Sequence, residues 1–75
     1  MFNINEYIAE HRGQEVIVKL KIGLIKCLLL DVSRDGNLRV SRIKVLESRD
    51  SSLKEWEDRD KVVIRKDSIV AIFIE

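Results

Sequence analysis

The sequence predicts a mainly β domain: a short N-terminal helix followed by a five-stranded, strongly bent antiparallel small barrel. Three observations carry this. Apolar spacing changes from helical to alternating near residue 15. Five short runs rich in apolar and β-branched residues then follow, divided by turn residues or, once, by a charged stretch. The third of these runs switches apolar phase part-way along, which a straight flat strand cannot accommodate.

Ile4, Tyr7 and Ile8 share one helical face, and Asn3 or Asn5 can cap its start with Glu6 in the first turn. Gly13 is placed to end the helix in a left-handed conformation, so it spans about two turns. Phe2 and Tyr7 read as helix-face packing. The first strand is Val16 to Lys21, with Val16, Val18 and Leu20 apolar and Lys alternating in its latter part. Ile22-Gly23 supplies a turn. The second strand, Leu24 to Val32, is expected to put Leu24, Leu28, Leu30 and Val32 on one face, interrupted by Lys26. Ser33-Arg34-Asp35-Gly36-Asn37 is the strongest turn signal, because Gly accepts positive φ without penalty. In the third strand, Leu38 to Leu46, Leu38 and Val40 point one way and Ile43 and Val45 the other. A bulge or strong bend near Ser41–Arg42 reconciles them.

Residues 47–60 are polar and charged, and are expected to form a loop or an exposed hairpin tip. Within them Trp56 could fold back over the barrel, meet a partner or stack a base. Lys61 to Lys66 is the fourth strand, Asp67-Ser68 a tight turn, and Ile69 to Ile74 the fifth strand. No repeat, linker or low-complexity tract interrupts the chain, so residues 1–75 read as a single domain.

Composition narrows the function. The 75 residues contain one Cys, one His and no Pro, with 45% hydrophobic and 36% charged residues. That excludes disordered, collagen-like and disulfide-stapled classes. No nucleophile–base pair, metal-ligand cluster or phosphate-binding glycine loop is visible, so an enzyme is not expected. His11 reads as a cation near a helix end, and Cys27 as a small apolar strand residue rather than a reactive thiol. No apolar run reaches membrane-spanning length, and no basic segment precedes an apolar core at Met1-Phe2-Asn3-Ile4; a cytoplasmic location is the expectation.

The net charge of +1 conceals segregation. Residues 16–46 carry seven Lys or Arg against Asp31 and Asp35, whereas residues 47–60 carry six acids against three cations. Such blocks suit complementary faces between copies, or a basic face for nucleic acid.

Three segments carry a resemblance. Gly13-Gln14-Glu15-Val16-Ile17-Val18-Lys19-Leu20-Lys21-Ile22-Gly23 is the first. Leu28-Leu29-Leu30-Asp31 with Asn37-Leu38-Arg39-Val40 is the second. Val63-Ile64-Arg65-Lys66-Asp67-Ser68-Ile69-Val70-Ala71-Ile72 is the third and most specific. Together they resemble the two Sm motifs of the Sm/Sm-like (LSm) family, which includes bacterial Hfq, over nearly the whole chain. The resemblance implies an Sm-like/SH3-like barrel. It also implies a homo-oligomeric, hexameric or heptameric ring in which the fourth strand of one copy pairs with the fifth of the next. Ile69 to Ile74, apolar and without Pro or Lys, suits such an edge.

It further implies binding of single-stranded, uridine-rich RNA, as an RNA-processing or RNA-chaperone scaffold. The matched site residues are Asn37, Arg65 and Asp67, with Lys66 and Arg34 beside them. The chain departs from the pattern in four places. Ser33 stands where the family's Asp is usual, four before Asn37, with Asp31 six before it. Asp35 stands where a stacking aromatic or His is usual, Lys66 replaces the Gly after the signature Arg, and Lys26 or Cys27 occupies the position of a bend-permitting Gly. These departures leave open an alternative: an oligomeric protein-interaction module without specific RNA binding. No cofactor is implied.

Overall fold

The computed structural model describes residues 3–74. Helix α1 (Ile4–Ala9) leads into β1 (Glu15–Leu20), β2 (Gly23–Val32) and β3 (Leu38–Ser48). A 3₁₀ helix (Ser51–Asp58), β4 (Val62–Ile64), a 3₁₀ turn (Lys66–Ser68) and β5 (Ile69–Ile74) complete the chain. The five strands form one antiparallel sheet in the order β4-β3-β2-β1-β5. The expected mainly β architecture is therefore present, but the sheet is not closed. Strands β4 and β5 are its two edges, joined by the short 66–68 turn and not paired with each other.

Asn3 is the helix cap: its Oδ1 accepts from the backbone N–H of Asn5 at 3.0 Å and of Glu6 at 3.2 Å. Of the apolar stripe, Ile8 is buried, while Ile4 and Tyr7 stay exposed at 62% and 46%. Ile8 enters the core, whereas Tyr7 packs edge-on against His11 one turn along, with ring centroids 5.1 Å apart; Phe2 lies outside the described residues. Gly13 takes a φ of +84°, and its N–H donates to the Leu29 carbonyl at 2.8 Å. This bond lays the end of the helical segment against β2.

The face of β2 turned to the core is the opposite of the expected one. Ile25, Cys27 and Leu29 are buried, whereas Leu24, Leu28, Leu30 and Val32 are half-buried. The register with β1 explains this. Cys27 pairs with Val16 and Ile25 with Val18, so these residues share the inner face. Lys26 must then point outward, where its Nζ lies 3.5 Å from Glu15.

The bulge near Ser41–Arg42 is present. Between the Lys26–Lys44 and Leu28–Ser41 pairs, β3 carries one more residue than β2. Arg42 absorbs it with a φ of +52°. The extra residue returns Ile43 to the face of Leu38 and Val40, and all three are buried. Further register shifts at Leu24/Ile25 and Leu29/Asp31 add to the bend.

The 47–60 segment is not the expected loop. β3 continues to Ser48, and the 3₁₀ helix folds back across it. Leu53 is fully buried and Trp56 packs against the core, so Trp56 folds back over the sheet. Asp50 caps this helix by accepting from Ser52 N–H at 2.9 Å, and that bond lowers its pKa. Glu57 accepts from the Val45 N–H at 2.8 Å, satisfying a donor where β4 no longer covers β3. Gly23 makes the space: a Cβ there would strike the Glu47 carbonyl and lie 2.7 Å from Leu53 Cδ2.

Two outcomes follow for stability. Leu53→Ala is expected to cost about 2–5 kcal/mol and Gly23→Ala about 1–3 kcal/mol, read from urea midpoints. Burial pushes the Cys27 thiol up to about 12 from 9.0. A raised thiol pKa favours the protonated folded state, so this contribution is complete below the unfolded pKa and is lost as pH climbs from there toward 12. Native protein at mildly alkaline pH should therefore resist alkylation that urea-unfolded protein undergoes at once.

Candidate functional site

Two turns distant in sequence meet through a hydrogen bond. The first is the 33–37 turn between β2 and β3. It is built by the Gly36 N–H donating to the Ser33 carbonyl at 3.0 Å, the Ser33 N–H to the Asn37 carbonyl at 2.8 Å, and the Asn37 N–H to Ser33 Oγ at 3.0 Å. Gly36 holds a φ of +92°, which the tight reversal requires. The second is the 66–68 turn between β4 and β5. Its N-cap is Arg65, and the Ser68 N–H donates to the Arg65 carbonyl at 3.0 Å.

The backbone N–H of Lys66 donates to Asn37 Oδ1 at 3.0 Å, across 29 residues of sequence. Pairing of β3 with β4 sets this up, because Leu38 opposes Ile64 and the residues just beyond each strand must then be neighbours. Asn37, Arg65, Lys66 and Asp67 are thereby gathered at one place. Arg65, Lys66 and Asp67 are exposed, and Asn37 is half-buried.

Arg34 belongs to the same turn, with an exposed side chain. Its carbonyl accepts from Asn5 Nδ2 at 3.2 Å, which fastens α1 to the turn. The three segments converge at Gly36. A Cβ placed there would lie 3.4 Å from Asn5 Oδ1 and 3.7 Å from Lys66 Cδ. The residues that sequence reasoning missed are therefore Asn5 and Gly36. Asn5 reads locally as a helix cap, and only the fold reveals its contact 29 residues away.

No protein-family model matches the chain, and no curated protein matches it. The geometry is then the guide to chemistry. A cleft of about 210 Å³ opens beside Asn37, lined also by Asp31, Ser33, Arg39 and Val63. Asp31 is occupied in it: Arg39 Nη2 lies 3.4 Å from one carboxylate oxygen and Arg12 Nη1 3.9 Å from the other. The Val32 N–H also donates to it at 2.8 Å. Asp31 is thus a tie between the helical end and β3, although pairs this exposed add only about 0–1 kcal/mol. By contrast, among the described residues no ion pair engages Arg34, Arg65 or Lys66. Their charges are open to an anion. The arrangement combines amide and carboxylate groups suited to base edges with a guanidinium able to stack and an ammonium able to meet phosphate.

Asn37→Ala removes the acceptor of the Lys66 N–H. The expected result is faster hydrogen exchange at Lys66 and a stability loss of about 1 kcal/mol, with the β1–β2 amides unaffected.

Proposed function

We propose that this chain is an Sm-like subunit that assembles into a homo-oligomeric ring and binds single-stranded, uridine-rich RNA at the junction of its 33–37 and 66–68 turns. One observation carries the reading: the Lys66 N–H to Asn37 Oδ1 hydrogen bond. It draws together two distant turns that each hold part of the residue set implied by the Sm-motif resemblance. Asn37 and Asp67 offer polar groups to a base edge, Arg65 a stacking plane, and Lys66 and Arg34 charge for phosphate.

Assembly has its own support. The two free edges carry exposed apolar side chains, Val63 at 61% on β4 and Val70 at 57% and Phe73 at 51% on β5. An edge strand with such a row invites pairing. An edge of one kind meeting an edge of another is a heterologous contact, which closes only as a ring. A domain this small also gains stability when a neighbour covers its edges. The same exposed row favours a second reading, an oligomeric protein-interaction module that binds no specific RNA.

Fluorescence anisotropy with short U and A oligomers at two salt concentrations separates the readings. Base-specific binding predicts a preference for U that survives moderate salt and disappears in Arg65→Ala. A steep salt slope with no base preference would leave only electrostatic attraction. Sedimentation equilibrium is expected to show an assembly at micromolar concentration, and a stable monomer would sink the ring.

A further inference from the structure

Lys26 on β2 and Lys44 on β3 stand directly opposite each other across the sheet. Like charges so placed repel. Glu15 answers Lys26, with its Oε2 3.5 Å from Nζ, but among the described residues no ion pair engages Lys44 or Lys19. The outer face around them is partly apolar. Ile17 on β1 pairs with Lys26, and Leu24 on β2 pairs with Lys19. Leu46, two residues beyond Lys44, is 45% exposed. Apolar side chains rimmed by unanswered cations describe a surface for a partner.

We propose that this face docks the 51–58 helix of a second copy of the chain. A 3₁₀ helix repeats every three residues, so its side chains fall on three ridges. Leu53 and Trp56 form the ridge turned to the core. Lys54 and Glu57 form the second, tied to β3 by the Glu57 bond to the Val45 N–H. Ser52, Glu55 and Asp58 form the third, which is exposed. Among the described residues no ion pair engages its two carboxylates. At about 2 Å of rise per residue, Glu55 and Asp58 stand about 6 Å apart along the ridge. Directly opposed β-carbons in a sheet are about 5 Å apart. The carboxylates thus match the Lys26–Lys44 pair in sign and in spacing.

The occupant follows from the charge layout. Residues 16–46 hold seven cations against two acids, and residues 47–60 hold six acids against three cations. Each copy therefore carries both halves of the contact, in equal number. Within one chain the halves do not meet, because Leu53 and Trp56 fix the helix with its acidic ridge turned outward. The contact uses neither free edge of the sheet. It goes beyond the ring reading and is compatible with it: where subunits pair through β4 and β5, the outer face stays open and joins one ring to another.

Sedimentation velocity on the nuclease-treated full chain tests this at about 0.01 M and about 1 M salt, where charges are screened over about 30 Å and about 3 Å. Edge pairing survives the higher salt, whereas a lysine–carboxylate contact does not. The expected result is a low-salt species of about twice the high-salt mass or more. Lys19→Glu with Lys44→Glu should remove it, and so should Glu55→Lys with Asp58→Lys. Mixing these two variants should restore it, since each supplies the complement of the other. Lys44→Gln, which only removes a charge, should lower the salt concentration at which the larger species disappears. A mass independent of salt, or a larger species that persists in both double variants, overturns the inference and leaves the ring standing. A larger species seen only before nuclease treatment makes the face a nucleic-acid surface and also overturns it. A monomer at high salt that associates at low salt keeps the docking contact and removes the ring.

Discussion

The extra residue at Arg42 governs the shape of this molecule. Without it, the phase of β3 would send Ile43 to the opposite face from Leu38 and Val40. With Arg42 at a φ of +52°, all three side chains enter one core. The inserted residue also bends the strand sharply, as bulges do. That bend wraps the sheet around Val16, Val18, Ile25 and Leu29, and lets the short 66–68 turn link β4 to β5 although they are opposite edges of the sheet. A non-glycine residue at positive φ is strained by roughly 1–2 kcal/mol. Burial of the Ile43 side chain on the core face offsets that.

The candidate site is a consequence of the same bend. β3 starts beside the 33–37 turn, and β4 pairs only with its first three residues, Leu38, Arg39 and Val40. The short β4 therefore delivers its turn to Asn37 and nowhere else. The rest of the outer edge of β3 is left to the 51–58 helix, where Leu53 fills the space that Gly23 leaves open and Glu57 takes up the Val45 amide. One edge is thus covered by the chain itself, whereas β4 and β5 retain exposed apolar side chains.

The chain's alternating patterns make most strands legible, including the bulge, because an inserted residue is what brings the two apolar phases of β3 onto one face. The inner face of β2 is not legible in the same way, since every position from Leu24 to Leu30 except Lys26 is apolar or nearly so. Only the pairing with β1 breaks that degeneracy. The 51–58 helix is hidden by its polarity: its two anchors, Leu53 and Trp56, are too few to register as a pattern among serines, acids and Lys54. Asn37, Arg65, Lys66 and Asp67 can be singled out from their motif. Asn5 cannot be tied to them, since nothing in local sequence reports a contact 29 residues away.

Local sequence alone decided that five strands follow a helix, where the chain reverses at Asp35-Gly36, and that Asn3 or Asn5 starts that helix. These follow from backbone preference and side-chain periodicity, which act over a few residues. Tertiary structure decided which face of β2 is inside, that the sheet stays open at β4 and β5, and that α1 joins the 33–37 and 66–68 turns. These depend on strand register and on hydrogen bonds between distant segments, such as Lys66 to Asn37. Such contacts exist only once the sheet has bent and brought the segments within reach.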